Sequence, residues 1–192
     1  MKDQQEAWDS FYSERNRPWR GTSQLNVPFG SGQHILDVGC GNGKTSAALL
    51  EMGCTVTGVD ISQNAVNQCS EALKMNAVCS SCTKLPFGNK EFDGIVFVHV
   101  LEHLTDDEIN DTMKEAERVL NDDGLVFLRV FTKDDMRSQN SDVRNGILYR
   151  YFDESEVKGI LSEFSVVRME TITQRTKFGT VRSRIEVLFR KK

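Results

Sequence analysis

The sequence predicts an α/β fold: a three-layer, doubly wound domain on a mostly parallel seven-stranded sheet, with an antiparallel C-terminal strand pair. Three observations carry that expectation. Short runs rich in Val, Ile and Thr alternate along the chain with stretches of helical period, the pattern of successive crossover units. The most continuous apolar run, FDGIVFVHV (92–100), lacks polar alternation, as a strand covered on both faces requires. The last forty residues hold two β-type runs joined by a short turn near KFGT rather than by a helix.

Taken in order, HILDVG (34–39) reads as a short buried strand, and KTSAALLEMG (44–53) as a helix closed by Gly53. CTVTGVD (54–60) is a strand, and SQNAVNQCSEALKMN (62–76) a helix with Ser62 as its N-cap. AVCS (77–80) is a third short strand, followed by a loop through KLPFGNKEF and then the central run at 92–100. TDDEINDTMKEAERVLN (105–121) is an amphipathic helix whose Thr105 and Glu108 fit a capping box. GLVFLRVF (124–131) is the next strand. Residues 132–152 show no clear element, and DESEVKGILSE (153–163) is helical. SVVRMETITQRT and TVRSRIEVLFR are the closing pair.

A chain of 192 residues accommodates one well-buried domain, taken here as 1–192. No apolar run is long enough to span a membrane, and the polar start MKDQQEAWDSFY lacks the features of a secretory signal. A cytoplasmic location is the expectation. The five cysteines form no disulfide framework, and Cys79-Ser-Ser-Cys82 lacks a second pair with which to hold zinc, so no metal site is expected. The net charge of −4 is not that of a general nucleic-acid binder. Between Arg150 and Lys192, however, ten Lys/Arg face six Asp/Glu. Nucleic acid is therefore a minority reading.

In a sheet of this kind ligands bind at the carboxyl ends of the strands, where strand order reverses. The turn after the first strand, DVGCGNGKTS (37–46), is the place to look. It ends in Gly-Lys-Thr, but a phosphate loop needs a glycine five residues before Gly43, and that position is Val38. Its glycines follow GxGxG rather than the GxGxxG of a pyrophosphate turn. What remains is a turn with no β-carbon at Gly39, Gly41 and Gly43, which lets a ligand lie against the backbone. Asp60 ends the second strand 21 residues after Gly39, where an acid is placed to accept ribose hydroxyls. The pattern fits a nucleoside with no required pyrophosphate.

ILDVGCGNGKTS, VTGVDIS, KLPFGNKEFDGIVFVHVLEHL and RVLNDDGLVFLRV, in that order, resemble the successive motifs of class I S-adenosylmethionine-dependent methyltransferases, from Ile35 to Val130. WDSFYSERNRPWRG (8–21) resembles the N-terminal cap of the tellurite-resistance and thiopurine-type members, which makes residues 1–30 a cap. The resemblance implies S-adenosyl-L-methionine as cofactor and S-adenosyl-L-homocysteine as product. It also implies that Gly39, Cys40 and Gly41 run beside the methionine part and that Asp37 orients its amino group. Asp60 would take the ribose hydroxyls and Ile61 would pack on the adenine. Ser81 and Cys82 occupy the positions where the family has an Asp and a small residue contacting the adenine amino group; the neutral Ser81 departs from that pattern. His99 would face the methionine portion. Tyr12, Arg17 and Trp19 of the cap would close over the cofactor, a ring against the sulfonium and the guanidinium on the carboxylate. Trp8 and Phe11 are read as packing.

Methyl transfer from a sulfonium needs alignment of the nucleophile and exclusion of water, with a general base only for a poor nucleophile. Glu102-His103 is the acid–base pair at the right end of the sheet; Glu102 is read as a helix-start feature and His103 as a candidate base. Residues 132–152 overhang the pocket as a lid candidate. Within them Tyr149 is a second candidate catalytic residue, and Arg137, Arg144, Arg150 and Tyr151 are positioned to meet an anionic or aromatic acceptor. The expected partner is a small-molecule acceptor. Three alternatives remain open: methylation of RNA or protein through the basic C-terminal strands, a non-catalytic S-adenosylmethionine-binding module, and a nucleotide-dependent dehydrogenase. Asp60→Ala should weaken cofactor binding by about 1–3 kcal/mol, measured by calorimetry, through loss of charged hydrogen bonds; unchanged affinity in a folded variant would remove the ribose assignment.

Overall fold

The computed structural model describes residues 4–140 and 142–192. An N-terminal helix α1 (Gln4–Ser13) precedes β1 (His34–Val38), α2 (Lys44–Glu51), β2 (Thr55–Asp60), α3 (Gln63–Leu73) and β3 (Asn76–Cys79). β4 (Phe92–Val98), a 3-10 turn (Leu101–His103), α4 (Asp106–Val119) and β5 (Leu120–Phe131) follow. A 3-10 turn (Met136–Gln139) and the short strands β6 (Val143–Arg144) and β7 (Ile147–Leu148) lead to α5 (Glu154–Ile160), β8 (Phe164–Arg175) and β9 (Val181–Lys191). The main sheet has seven strands in the order β3-β2-β1-β4-β5-β9-β8. The first five are parallel, while β9 runs antiparallel to both β5 and β8. The expected fold class is therefore the observed one.

The strands are apolar on consecutive positions because both faces of the sheet are covered. Ile35, Val96, Phe127 and Leu188 pack on one side with Leu49 of α2 and Phe29. Their neighbours Leu36, Ile95, Phe97, Val126, Leu128 and Val187 pack on the other with Ile109, Met113 and Ala116 of α4 and Val157 of α5. Each residue in these runs changes face with the pleat, so every one of them needs an apolar side chain.

Local signals set the ends of elements. Ser62 caps α3 by accepting from the Ala65 N–H, and Thr105 and Glu108 form the expected capping box of α4. α3 stops at Leu73 because Lys74 turns left-handed at φ 55°, three residues short of the sequence expectation, and Asn76 already belongs to β3. His99, at φ 60°, ends β4 in the same way. Residues 132–152 differ from the expected elementless stretch: Asn145 and Gly146, at φ 53° and 84°, turn a β6–β7 hairpin. Asn-Gly favours that geometry because both residues tolerate positive φ. The expected cap also divides in two. α1 lies against the start of α3, where Asp9 Oδ1 accepts from Ser62 Oγ at 2.8 Å and the Asn64 N–H at 3.0 Å. Leu25, Val27 and Phe29 instead pack across the face of the sheet.

β1 lies between β2 and β4, so the chain winds outward from it in both directions and leaves a crevice at its carboxyl end. Closeness at the other end is set by Gly94 in β4. A β-carbon there would stand 2.6 Å from Phe29 Cε1 and 2.9 Å from Ile35 Cδ1. Gly94→Ala should cost about 1–3 kcal/mol of stability by overpacking, read as a lower urea midpoint; an unchanged midpoint would show that Phe29 can give way.

Candidate functional site: a glycine turn at the floor of a cavity

A cavity of about 770 Å³ opens above the carboxyl ends of β1, β2, β4 and β5 and is roofed by α1 and the β6–β7 hairpin. That volume suits a small organic ligand, with room for a second small molecule. Its floor is the turn after β1. Gly39 N–H and Cys40 N–H both donate to the Val59 carbonyl, which draws the turn onto β2. Asp60 completes the join: its Oδ2 accepts from the Gly41 N–H at 2.9 Å and its Oδ1 from the Ser62 N–H at 2.9 Å. Gly39 and Gly41 have φ of 70° and 54°, and their positions admit no side chain. A β-carbon at Gly39 would stand 2.6 Å from Val100 Cγ2, and one at Gly41 would stand 2.5 Å from Tyr12 Oη.

Tyr12 thus sits directly on the turn. Trp19 Nε1–H donates to Tyr12 Oη at 3.1 Å, and Trp19 itself is clamped to Asn42, which accepts from its N–H and donates to its carbonyl. Burial pushes the Tyr12 phenol well above its ordinary value, helped by the nearby Asp60 carboxylate. Trp19 is 46% exposed at the cavity mouth. Arg17 does not line the cavity: its backbone turns left-handed at φ 51°, its N–H is held by Gln68 Oε1, and its side chain faces solvent. Asp37 is also absent from the wall. It lies under the turn, 1% exposed, with Oδ2 accepting from Ser46 Oγ at 2.5 Å. Gly39, Cys40, Gly41, Asp60, Ile61, Ser81, Cys82, His99, His103 and Tyr149 do line it. So does Lys44, at the start of α2.

Two imidazoles stand at the centre. His99 Nδ1–H donates to Glu102 Oε1 at 2.9 Å, and its ring stacks on Phe131 with centroids 3.8 Å apart. Glu102, read from sequence as a helix-start feature, is a buried tie: the same Oε1 also accepts from the Phe131 N–H at 2.8 Å. His103 Nδ1 lies 2.6 Å from the Leu148 carbonyl. A carbonyl only accepts, so the proton is on Nδ1 and Nε2 keeps a free lone pair. Burial holds the His103 pKa below its ordinary value, which keeps the ring neutral near pH 7. Trp8 and Tyr149 meet it edge-on, with centroids at 4.8 and 4.9 Å. Trp8 is therefore a wall residue as well as a packing residue.

Sequence reasoning missed the far wall. Arg129 and Phe131 of β5 lie opposite Glu186 and Arg184 of β9. Arg129, Arg182 and Arg184 line the cavity there with Asp135 and Arg137. Arg182 and Arg184 occupy alternate positions of one strand, a period-two signal that places them on one face. Nothing in the sequence says which strand that face adjoins.

This is a Rossmann-like α/β domain with a glycine turn tied to Asp60 at the carboxyl end of β1. Residues 36–128 match the family described as "Methyltransferase domain". That stretch, just under half of the chain, carries the likeness to a methyltransferase domain, and it runs from β1 to β5. Among curated proteins, the ubiquinone biosynthesis O-methyltransferase of Coxiella burnetii is 31% identical over 107 residues, 53% of this chain and 45% of that protein. This chain thus spans less than half the length of that relative. Among solved structures, a SAM-dependent methyltransferase of Methanosarcina mazei superposes with a TM-score of 0.74 at 22% identity, covering 85% of this chain and 94% of the other. The 1,6-didemethyltoxoflavin-N1-methyltransferase of Burkholderia thailandensis, solved with 1,6-didemethyltoxoflavin and S-adenosylhomocysteine, superposes with a TM-score of 0.66 at 22% identity, covering 84% and 72%. These structural likenesses establish the fold.

Burial raises Asp37 to about 7 and Asp60 to about 6, against the opposing hydrogen bonds they accept. Raised carboxyls bind protons in the folded chain that the unfolded chain has already released. Their contribution favours the fold at acid pH and is lost as pH rises through those two values. Asp37→Asn, which keeps an oxygen for Ser46, should lose less stability than the parent between about pH 5 and pH 8 in urea unfolding. Parallel losses in the two proteins would contradict the assignment.

Proposed function

We propose that this protein is an S-adenosylmethionine-dependent methyltransferase that methylates a hydroxyl of a small-molecule acceptor by in-line displacement. The observation that carries this reading is the single cavity joining the Gly39–Gly41 and Asp60 cradle to a neutral imidazole with a free Nε2. The residues fit the cofactor. Asp60 has carboxylate lone pairs beyond those used by the two backbone N–H groups, and it would take the ribose hydroxyls. Ile61 would pack on the adenine, and Ser81 and Cys82 would flank its edge. Gly39, Cys40 and Gly41 would run beside the methionine part, with His99 facing it. Tyr12 and Trp19 would shield the sulfonium. Lys44, which lines the cavity where Arg17 does not, would meet the cofactor carboxylate.

When bound, the cofactor supplies a methyl already activated by positive sulfur. The chain's task is then to align the acceptor oxygen, strip water and take a proton. A hydroxyl is a poor nucleophile at neutral pH, so proton removal matters here. His103 Nε2 accepts that proton, and the Leu148 carbonyl stabilises the resulting imidazolium through Nδ1–H. α1 and the β6–β7 hairpin, joined by Gln4 Nε2–H donating to the Gly146 carbonyl at 2.8 Å, exclude water from above. Tyr149 borders the same space. The match to an O-methyltransferase supports an oxygen acceptor.

His103→Gln should lower kcat about 100-fold and flatten the pH–rate profile, with S-adenosylhomocysteine affinity unchanged, in an assay of S-adenosylhomocysteine release with catechol and 3,4-dihydroxybenzoate as acceptors. Full activity in this variant would exclude His103 as the base. Binding of NAD in place of S-adenosylhomocysteine would overturn the reading as a whole.

A further inference from the structure

The cavity is electrically polarised. Asp60 marks its β2 end, whereas its β5–β9 end is lined by Arg129, Arg137, Arg182 and Arg184. Among the described residues, the carboxylates that meet these four are Asp135, bound to Arg137 at 2.9 Å, and Glu186, shared between Arg129 at 2.8 Å and Arg184 at 2.7 Å. Guanidinium groups therefore exceed these carboxylates by two at this end. Arg184 spends only Nε on Glu186, leaving both terminal nitrogens without a partner among the described residues. The Arg182 guanidinium has no hydrogen-bond or ion-pair partner among the described residues. Both belong to one face of β9, two residues apart, beside Phe131. Phe131 itself offers no ring face, being covered by His99 on one side and the Arg137 guanidinium, 4.4 Å from the ring centre, on the other. Trp8 and Tyr149 flank His103, Tyr149 with one ring face covered by the Arg144 guanidinium 4.3 Å from its centre, so Trp8 and the other face of Tyr149 are the aromatic walls beside that imidazole.

We propose that the acceptor is an aromatic hydroxyl compound carrying an anionic group, a carboxylate or a phosphate, which Arg182 and Arg184 bind. This rests on the methyltransferase reading and names its substrate class. Two like charges side by side on one strand face repel each other unless an anion joins them, and a guanidinium fork matches the two oxygens of a carboxylate or phosphate. The arrangement also suits the chemistry: a negative acceptor is drawn toward a site that holds a positive sulfonium. The ring spans from the arginine wall to His103, where its hydroxyl meets Nε2.

The test is calorimetry on the protein saturated with S-adenosylhomocysteine, using matched pairs: benzoate and benzamide, 3,4-dihydroxybenzoate and catechol, phenyl phosphate and phenol. The anionic member of at least one pair should bind about tenfold tighter or better, and the preference should shrink to about twofold in Arg182→Gln/Arg184→Gln. A preference confined to the benzoates or to phenyl phosphate identifies which anion the wall reads. Equal binding within every pair overturns the proposal, as does a preference that survives in the double variant. Loss of S-adenosylhomocysteine affinity in a double variant whose melting temperature is unchanged would assign the arginines to the cofactor carboxylate instead. Failure of the parent to bind S-adenosylhomocysteine at all would strike the methyltransferase reading, and is a separate result.

Discussion

The hydrogen bond from the Gly41 N–H to Asp60 Oδ2 joins the turn after β1 to the end of β2. With the Gly39 and Cys40 N–H groups on the Val59 carbonyl, it pulls that turn flat across the carboxyl ends of two neighbouring strands. Flattening demands positive φ at Gly39 and Gly41, and it leaves no room for side chains there. It also sets the height of the roof, because Tyr12 comes down onto Gly41 and carries Trp19 with it. One buried carboxylate thus organises the floor, and through the floor it organises the cap.

The two imidazoles are governed from behind rather than from within the cavity. Glu102 holds His99 from Nδ1 while also pinning the backbone of Phe131, so it ties the end of β5, the His99 ring and the turn after β4 together. His103 takes its tautomer from the Leu148 carbonyl, which belongs to the β6–β7 hairpin. The Asn145-Gly146 turn therefore reaches the chemistry indirectly: it places the carbonyl that decides which nitrogen of His103 is bare. Gln4 of α1 bonds the same turn, so cap and hairpin close the cavity together.

Charge is divided along the sheet in the same economical way. The acid of the cradle sits on β2, and the guanidinium wall sits on β5 and β9, with β1 and β4 between them. Glu186 bridges Arg129 and Arg184 while neutralising only one of their two charges. A cavity built so presents opposite potentials to the two ends of whatever it binds, which orients a ligand before any single contact forms.

Much of this architecture was legible in the residues themselves. Consecutive apolar positions in FDGIVFV require two covered faces, Ser62 and the Thr105–Glu108 pair mark helix starts, and the glycine turn with Asp60 locates the cradle. These are local signals, since they depend on a residue and its near neighbours. The Asn145-Gly146 hairpin was equally local, but the polar stretch around it reads as a loop unless that dipeptide is weighed. Other features depend on strand register and could not be read. Arg182 and Arg184 reach the cavity only because β9 runs antiparallel beside β5, opposite residues more than fifty positions away. Arg17 left the site because of one left-handed residue, and Asp37 because Ser46 binds it beneath the turn. Sequence alone determined the elements, the crevice and the glycine turn that meets Asp60. Tertiary structure decided the tautomer of His103 and the charge of the opposite wall, because both arise from contacts between segments distant along the chain.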